Sequence, residues 1–368
     1  MTEVFKSGGN ELPLFAPGLE GIIAAETVLS DVDGEGGRLT LRGRPIEEIA
    51  GRMTFEEAAA LLWQGFVPDE YLSRLLELFA QARQVAARVV ATMQSSPAGL
   101  SAYELMRLGL EALPLDRDRN EAVTISGALP HLLAAANAIS TGRQVAPPDP
   151  SLSSAEDMLR LLTGKIPLPE QAAALDRYLV TILDHGLNAS TFTARVIAST
   201  GSDMRSSVIG AFGALKGPLH GGAPGPVLDM LDAIGTPENA EAWIAGELAA
   251  GHRLMGFGHR IYRARDPRAD VLRDGLAPLR GNSENLRKAE AIEKSALAAL
   301  ARHRSNRKLE TNVEFYTAVL LDAVGIDRSL FTPLFAVGRT VGWCAHVLEQ
   351  RATGKLIRPM SRYVPETA

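Results

Sequence analysis

The sequence predicts a mostly α-helical protein with a small N-terminal β-hairpin, on three observations. Helix-start signals recur along the chain, each followed by apolar residues at helical spacing. One short alternating segment lies near the N-terminus, and nowhere else do strands alternate with helices as a doubly wound sheet requires.

The elements follow in order. Arg38-Leu-Thr-Leu-Arg42 alternates strictly behind the Gly/Asp-rich stretch 31–37, which marks a hairpin. Thr54-Phe-Glu-Glu57 is a capping box, and Phe55, Ala58, Ala59 and Leu62 fall at i, i+3, i+4, i+7 behind it, the buried face of a helix. Ser101-Ala-Tyr-Glu104 repeats the start signal, and Arg143 to Pro150, with three prolines, is expected to be an exposed loop between helices. From Leu168 the helical period runs through Leu175, Tyr178, Leu179 and Ile182, with His185 expected on the same face. Gly213 to Gly225 is expected to be an irregular glycine-marked loop. Thr236-Pro-Glu is expected to start a helix, and Gly256-Phe-Gly-His259 is a second glycine-rich turn before an apolar segment from Tyr316. No repeat of fixed period is present.

The chain has 368 residues, ample for a large core, with 46% hydrophobic and 22% charged residues, so disorder is excluded over most of its length. Lys and Arg number 38 against 43 Asp and Glu, a net charge of −5, which gives no global field for nucleic acid or an acidic membrane. The single cysteine, Cys344, forms no internal disulfide and reads as core, which fits a reducing, cytoplasmic setting. No stretch is expected to reach the roughly 18 apolar residues of a membrane-spanning helix.

Nucleotide-phosphate fingerprints are absent: Gly164-Lys165, Gly354-Lys355 and the glycines at 34, 36 and 37 all miss the required spacing. No Cys, His or carboxylate set stands at metal-ligand spacing, so no metal is expected. Three histidines have unusual company: His185 in Asp-His-Gly-Leu-Asn, His220 in Pro-Leu-His-Gly-Gly and His259 in Gly-Phe-Gly-His-Arg. Each has an alternative as a satisfied core residue. His131, His303 and His346 are read as structural, and His252 beside Arg253 is open.

Arg253, Arg260, Arg263, Arg265 and Arg268 cluster within twenty residues, and most are expected on a solvated surface. Arg339 differs, because Leu334, Phe335, Val337, Val341 and Trp343 surround it, and a buried guanidinium needs a protein or ligand anion. Carbonyl-binding histidines, fork-like arginines and one carboxylate base suit a small di- or tricarboxylate substrate.

At this point the chain resembles the citrate synthases of the short bacterial and archaeal type, which include 2-methylcitrate synthases. The likeness runs almost end to end. It includes Gly18-Leu-Glu-Gly-Ile22, Leu41-Arg-Gly-Arg-Pro-Ile46, Asp184-His-Gly-Leu-Asn-Ala-Ser-Thr191, Gly217-Pro-Leu-His-Gly-Gly222, the run Gly256 to Arg268, Asn312-Val-Glu-Phe-Tyr316 and Ile357-Arg-Pro359.

The resemblance implies a two-domain helical fold, with 1–215 and 320–368 forming a large dimer-forming domain and 216–319 a small one. It implies condensation of acetyl-CoA with oxaloacetate through an enol and hydrolysis of citryl-CoA. His220 would stabilise the enol, His259 polarise the ketone and Glu314 act as base. His185, Arg268, Arg339 and Arg358 would bind substrate, Arg358 reaching across a homodimer interface, and Arg263 would meet CoA phosphate. No metal or cofactor is implied, CoA being part of the substrate. Two positions depart from the family pattern: Glu314 stands where aspartate is usual, and Pro224 where asparagine is usual. An alternative acyl substrate is propionyl-CoA, and another reading is a catalytically silent protein that binds CoA or a dicarboxylate.

Overall fold

The computed structural model describes residues 15–115, 120–220, 224–258, 261–282, 284–303 and 309–365. The hairpin forms with one strand more than expected. β1 (Ser30–Asp33), β2 (Arg38–Leu41) and β3 (Arg44–Pro45) make an antiparallel sheet in that order, with Asp33 opposite Arg38 and Leu41 opposite Arg44. Leu39 and Leu41 point into the core while Arg38 is exposed, as strict alternation requires.

Both capping boxes form: the Thr54 and Ser101 hydroxyls accept the Glu57 and Glu104 amides, and each glutamate reaches back to the cap amide. Phe55, Ala58, Ala59 and Leu62 are buried, and residues 143–149 carry no regular structure, both as the sequence predicts. Thr236 behaves differently. It precedes a 3-10 turn, Pro237–Asn239, and the helix proper begins at Ala240, because the Thr236 side chain caps no backbone amide. The glycine-marked stretch is also more regular than expected, since helix Met204–Leu215 runs through Gly213 and a further helix starts at Pro224. Residues 221–223 and the Pro224 side chain lie outside the described residues.

The core is built around helix Glu121–Ser140, buried on nearly every side, against which helices Leu75–Ala87 and Ala102–Ala112 and the long helix Phe331–Thr353 pack. Contrary to the sequence expectation, Glu121–Ser140 is long and apolar enough to cross a membrane; 94% of its apolar window is buried inside the protein, the signature of a core helix. Trp63 donates its indole N–H to the Val341 carbonyl at 3.0 Å, fixing the long helix against the N-terminal part of the chain. Cys344 is fully buried, as expected. Helices Pro224–Ile234, Pro267–Gly275 and Glu284–His303 all pack on Val313–Ala323, and Pro267–Gly275 also leans on Pro169–Thr181. Glu314 and Arg268 sit at the starts of two of these packed helices, and the charge of Arg339, on the long helix, acts on Glu314.

Candidate active site

His185 is placed by a loop and not by a helix face. Helix Pro169–Thr181 buries Leu175, Tyr178 and Leu179 as the period predicts, but it ends at Thr181, and Gly186 takes a φ of 60°, closed to helix continuation. The loop is clamped on both sides of His185. Ser30 donates its hydroxyl to Asp184 Oδ2 at 2.5 Å and accepts the Gly186 amide at 3.0 Å, while His346 Nε2 meets the other edge of the Asp184 carboxylate at 3.2 Å. Burial alone would raise the Asp184 carboxyl, but His346, Arg339 and Ser30 overcome it and hold it below the usual range. His185 Nε2 faces the Tyr262 hydroxyl at 3.1 Å and is buried.

His220 closes the turn after helix Met204–Leu215, its amide donating to the Gly217 carbonyl at 2.9 Å. Its ring lies against the first turn of helix Ala189–Ser199. Ser190 N–H donates to Nε2 at 3.3 Å, and the Ser190 hydroxyl, itself receiving the Trp343 indole N–H, sits 2.7 Å from the same nitrogen. A backbone amide only donates, so the network assigns Nε2 as an acceptor and puts the ring proton on Nδ1. Burial, then the Arg339 charge, lower the imidazole to about 4, and the positive end of the Ser190 helix acts in the same sense. At neutral pH His220 is therefore an uncharged N–H donor.

Glu314 is the second residue of helix Val313–Ala323, whose cap Asn312 accepts the Glu314 amide at 3.0 Å and donates to the Gly258 carbonyl at 2.8 Å. Gly258 N–H to Glu310 and Asn312 N–H to Gly256 complete a short ladder that binds the glycine-rich turn to the start of the Glu314 helix. Gly256 has a φ of 82°, and a Cβ there would lie 2.9 Å from Phe315, so this approach requires glycine. Asp266 caps the neighbouring helix, holds the Arg268 guanidinium through two hydrogen bonds of 3.0 and 2.9 Å, and accepts Val313 N–H at 3.1 Å. Arg268 is thereby tied to the first turn of the Glu314 helix. Burial lifts the Glu314 carboxyl to about 7, Asp266 adding to the rise while Arg268 and Arg339 oppose it.

Arg339 is 2% exposed, as its apolar surroundings predict. Its Nε donates to the Ile182 carbonyl at 2.6 Å and the guanidinium lies over Phe335 at 4.7 Å, but among the described residues no carboxylate forms an ion pair with it. Burial lowers it to about 10, partly offset by Asp184, so it stays charged at neutral pH. A buried cation whose hydrogen bonding among the described residues is limited to Nε is suited to receive a small anion.

His185, His220, Glu314, Arg268 and Arg339 thus form one electrostatically connected group. Arg263 is exposed, joined to Gly34 through its backbone. Arg358 is exposed in the C-terminal segment, lining a groove of about 510 Å³ with Phe192, Arg195 and Gln350, and no described contact joins it to His220 or Glu314. His259 and Arg260 lie outside the described residues, as does the His303 side chain. His131 and His346 are buried, and His252 pairs with Glu247 at the surface.

Sequence reasoning passed over Ser30, Asp184, Ser190, Tyr262, Asp266 and Trp343. Of these Asp266 carried a legible signal, an acidic cap before Pro267 and the start of a helix.

The citrate synthase C-terminal domain family model matches residues 18–360. The chain is 38% identical to the citrate synthase of Deinococcus radiodurans across 95% of each chain, and 37% identical to citrate synthase 2 of Bacillus subtilis across 94% of this chain and 95% of that one. Among solved structures it is similar to citrate synthase from Thermotoga maritima, with a TM-score of 0.84, 35% identity and coverage of 96% and 97%. It is also similar to citrate synthase from Thermoplasma acidophilum in its ternary complex with carboxymethyl coenzyme A and oxaloacetate, with a TM-score of 0.86, 28% identity and coverage of 96% and 97%. By fold and by sequence, the chain belongs to the citrate synthase family.

Proposed function

We propose that this chain condenses acetyl-CoA with oxaloacetate and hydrolyses the resulting citryl thioester to citrate and CoA. The observation that carries this reading is the combination, in one group, of a neutral histidine whose Nε2 is taken up by Ser190, a carboxyl poised near neutrality and a buried arginine that has no carboxylate partner among the described residues.

Each residue then has a role. The Glu314 carboxylate removes a proton from the acetyl methyl group while the His220 Nδ1–H stabilises the charge that develops on the thioester oxygen. The enol carbon attacks the ketone of oxaloacetate, polarised by His259, and a carbon–carbon bond forms. Water then adds to the thioester carbonyl, the carbon–sulfur bond breaks and the thiol of CoA leaves with a proton. His185, Arg268 and Arg339 hold the carboxylates of oxaloacetate, and Arg263 meets CoA phosphate. The chain's own groups supply every acid, base and anion receptor that these steps need, CoA entering as substrate.

In the same proposal, 216–319 is a small domain that closes on the large one built from 1–215 and 320–368, excluding water until condensation is complete. The working unit is a homodimer, in which Arg358 of one subunit serves the site of the other. Support for a second copy comes from the apolar residues both termini leave exposed, among them Ile23 at 88%, Met360 at 79% and Tyr363 at 85%. The protein is proposed to act in the cytoplasm.

Thiol release from acetyl-CoA tests the reaction: release that depends on oxaloacetate is expected, and its absence overturns the proposal. The same assay with propionyl-CoA measures the acyl preference, which one methylene in a pocket shifts by about 1–3 kcal/mol.

A further inference from the structure

Tyr178 is fully buried, yet among the described residues its hydroxyl has no hydrogen-bond partner. An unpaired buried O–H gives up its hydration without a replacement and so weighs against folding. Its place in the fold suggests what the group is for. Tyr178 stands one helical turn before Ile182, whose carbonyl accepts Arg339 Nε, and Gly338 brings the long helix against Ile182 and the Leu179 carbonyl. The Tyr178 helix also packs against helix Val313–Ala323, which carries Glu314 in its first turn.

Besides burial, the groups that act on the phenol are the Glu314 carboxylate, which raises it, and Arg339, which lowers it; the net rise keeps it a protonated donor. The Glu314 carboxylate also lacks a hydrogen bond among the described residues, on a side chain one methylene longer than the aspartate usual in the family.

We propose that the Tyr178 hydroxyl donates a hydrogen bond to the Glu314 carboxylate in the substrate-loaded enzyme, making Tyr178 a positioning residue for the base. The inference rests on the reading of Glu314 as base. The extra methylene gives this carboxylate roughly 1 Å of additional reach, and misplacement of that size costs about 10²-fold in rate. A donor fixed on a neighbouring helix removes that freedom. The other charged groups facing Glu314 are Asp266 and Arg268 from the start of helix Pro267–Gly275 and Arg339 from the long helix. Arg268 is already engaged by Asp266, and Arg339 is the proposed receptor for substrate.

Tyr178→Phe tests this, since it deletes the hydroxyl without opening a cavity. Thermal stability is expected to be equal or higher. The turnover number is expected to fall about tenfold, the effect of losing about 1.4 kcal/mol of transition-state stabilisation. A donor to a carboxylate favours its charged form, so the acid limb of kcat is expected to move to higher pH. The limb of kcat/KM, which reports the free enzyme, stays in place. In a Glu314→Asp background the same substitution is expected to have a smaller effect, because the shorter carboxylate falls short of Tyr178. Unchanged kcat and an unchanged limb in Tyr178→Phe overturn the inference, as does an equal loss in both backgrounds. Glu314→Gln separates the two levels. If it retains turnover, the base assignment fails; if it is inactive while Tyr178→Phe matches wild type, only the hydrogen bond fails.

Discussion

If Glu314 is the base, as proposed, its carboxyl, lifted to about 7 by burial, sets the pH dependence of the reaction. A general base must be ionised, so kcat/KM is expected to fall tenfold per pH unit below about 7. His220, lowered to about 4, remains neutral through that range and adds no second limb near neutrality. A profile flat from pH 5 to 8 would contradict the assignment. The same burial has a signed consequence for stability. A carboxyl whose folded value lies above its unfolded one is disfavoured as an anion, so its destabilising effect is present above about 7 and disappears below the ordinary glutamate value of 4.5. Glu314→Gln is therefore expected to melt about 2 °C or more above wild type at pH 8, with the gap closing toward pH 4.5. Glu314→Asp tests the silent-protein reading: if wild type has no turnover and this variant has it, the native chain binds without catalysing. At this scale the sequence made Arg339 legible through its apolar neighbours. The partnership of Ser190 with His220 was not legible, because it spans 30 residues and depends on how the His220 turn packs on the first turn of helix Ala189–Ser199.

Elements position these side chains through contacts that tolerate little change. At Gly342 the long helix comes so close to the His185 loop that an added Cβ would lie 2.2 Å from the Leu183 carbonyl oxygen and 3.0 Å from Asp184 Oδ1. Gly342→Ala is expected to force the loop outward, lowering stability by about 1–3 kcal/mol and raising KM for oxaloacetate. Gly213→Ala is the matched control, a helical glycine with open space around its missing Cβ, where stability is expected to rise by up to about 1 kcal/mol. Equal melting temperatures for the two variants would show that the close approach at Gly342 has no structural weight. Helix starts were legible at Thr54 and Ser101, where a full capping box closes the first turn, but not at the single caps Asn120, Ser153, Asn188, Asp203 and Asn312. The end of the Tyr178 helix was not, because the apolar period continues to Ile182 while Gly186 and the Ser30 clamp on Asp184 redirect the chain.

At the scale of the whole molecule, a chain of net charge −5 binds an anionic substrate by concentrating positive charge where water is scarce. Composition excludes a basic surface, and only the fold brings Arg268 and Arg339, 71 residues apart in sequence, beside one carboxyl. Arg358 completes this arrangement only if it arrives from a second copy, which neither composition nor motif spacing reveals. Complementation decides the point. Under the proposed assignment, His220→Gln is expected to inactivate the site of its own chain and Arg358→Ala the site of its partner. In a mixed dimer one site then has His220 from one chain and Arg358 from the other, both intact. Random reassociation makes half the dimers mixed, with one working site of two, so about one quarter of wild-type activity is expected from two nearly inactive variants. If Arg358 instead serves its own chain, no mixed dimer contains an intact site and mixing restores nothing. Size-exclusion chromatography of each variant alone, eluting at the wild-type position, ensures that a negative result reports site composition and not failure to assemble.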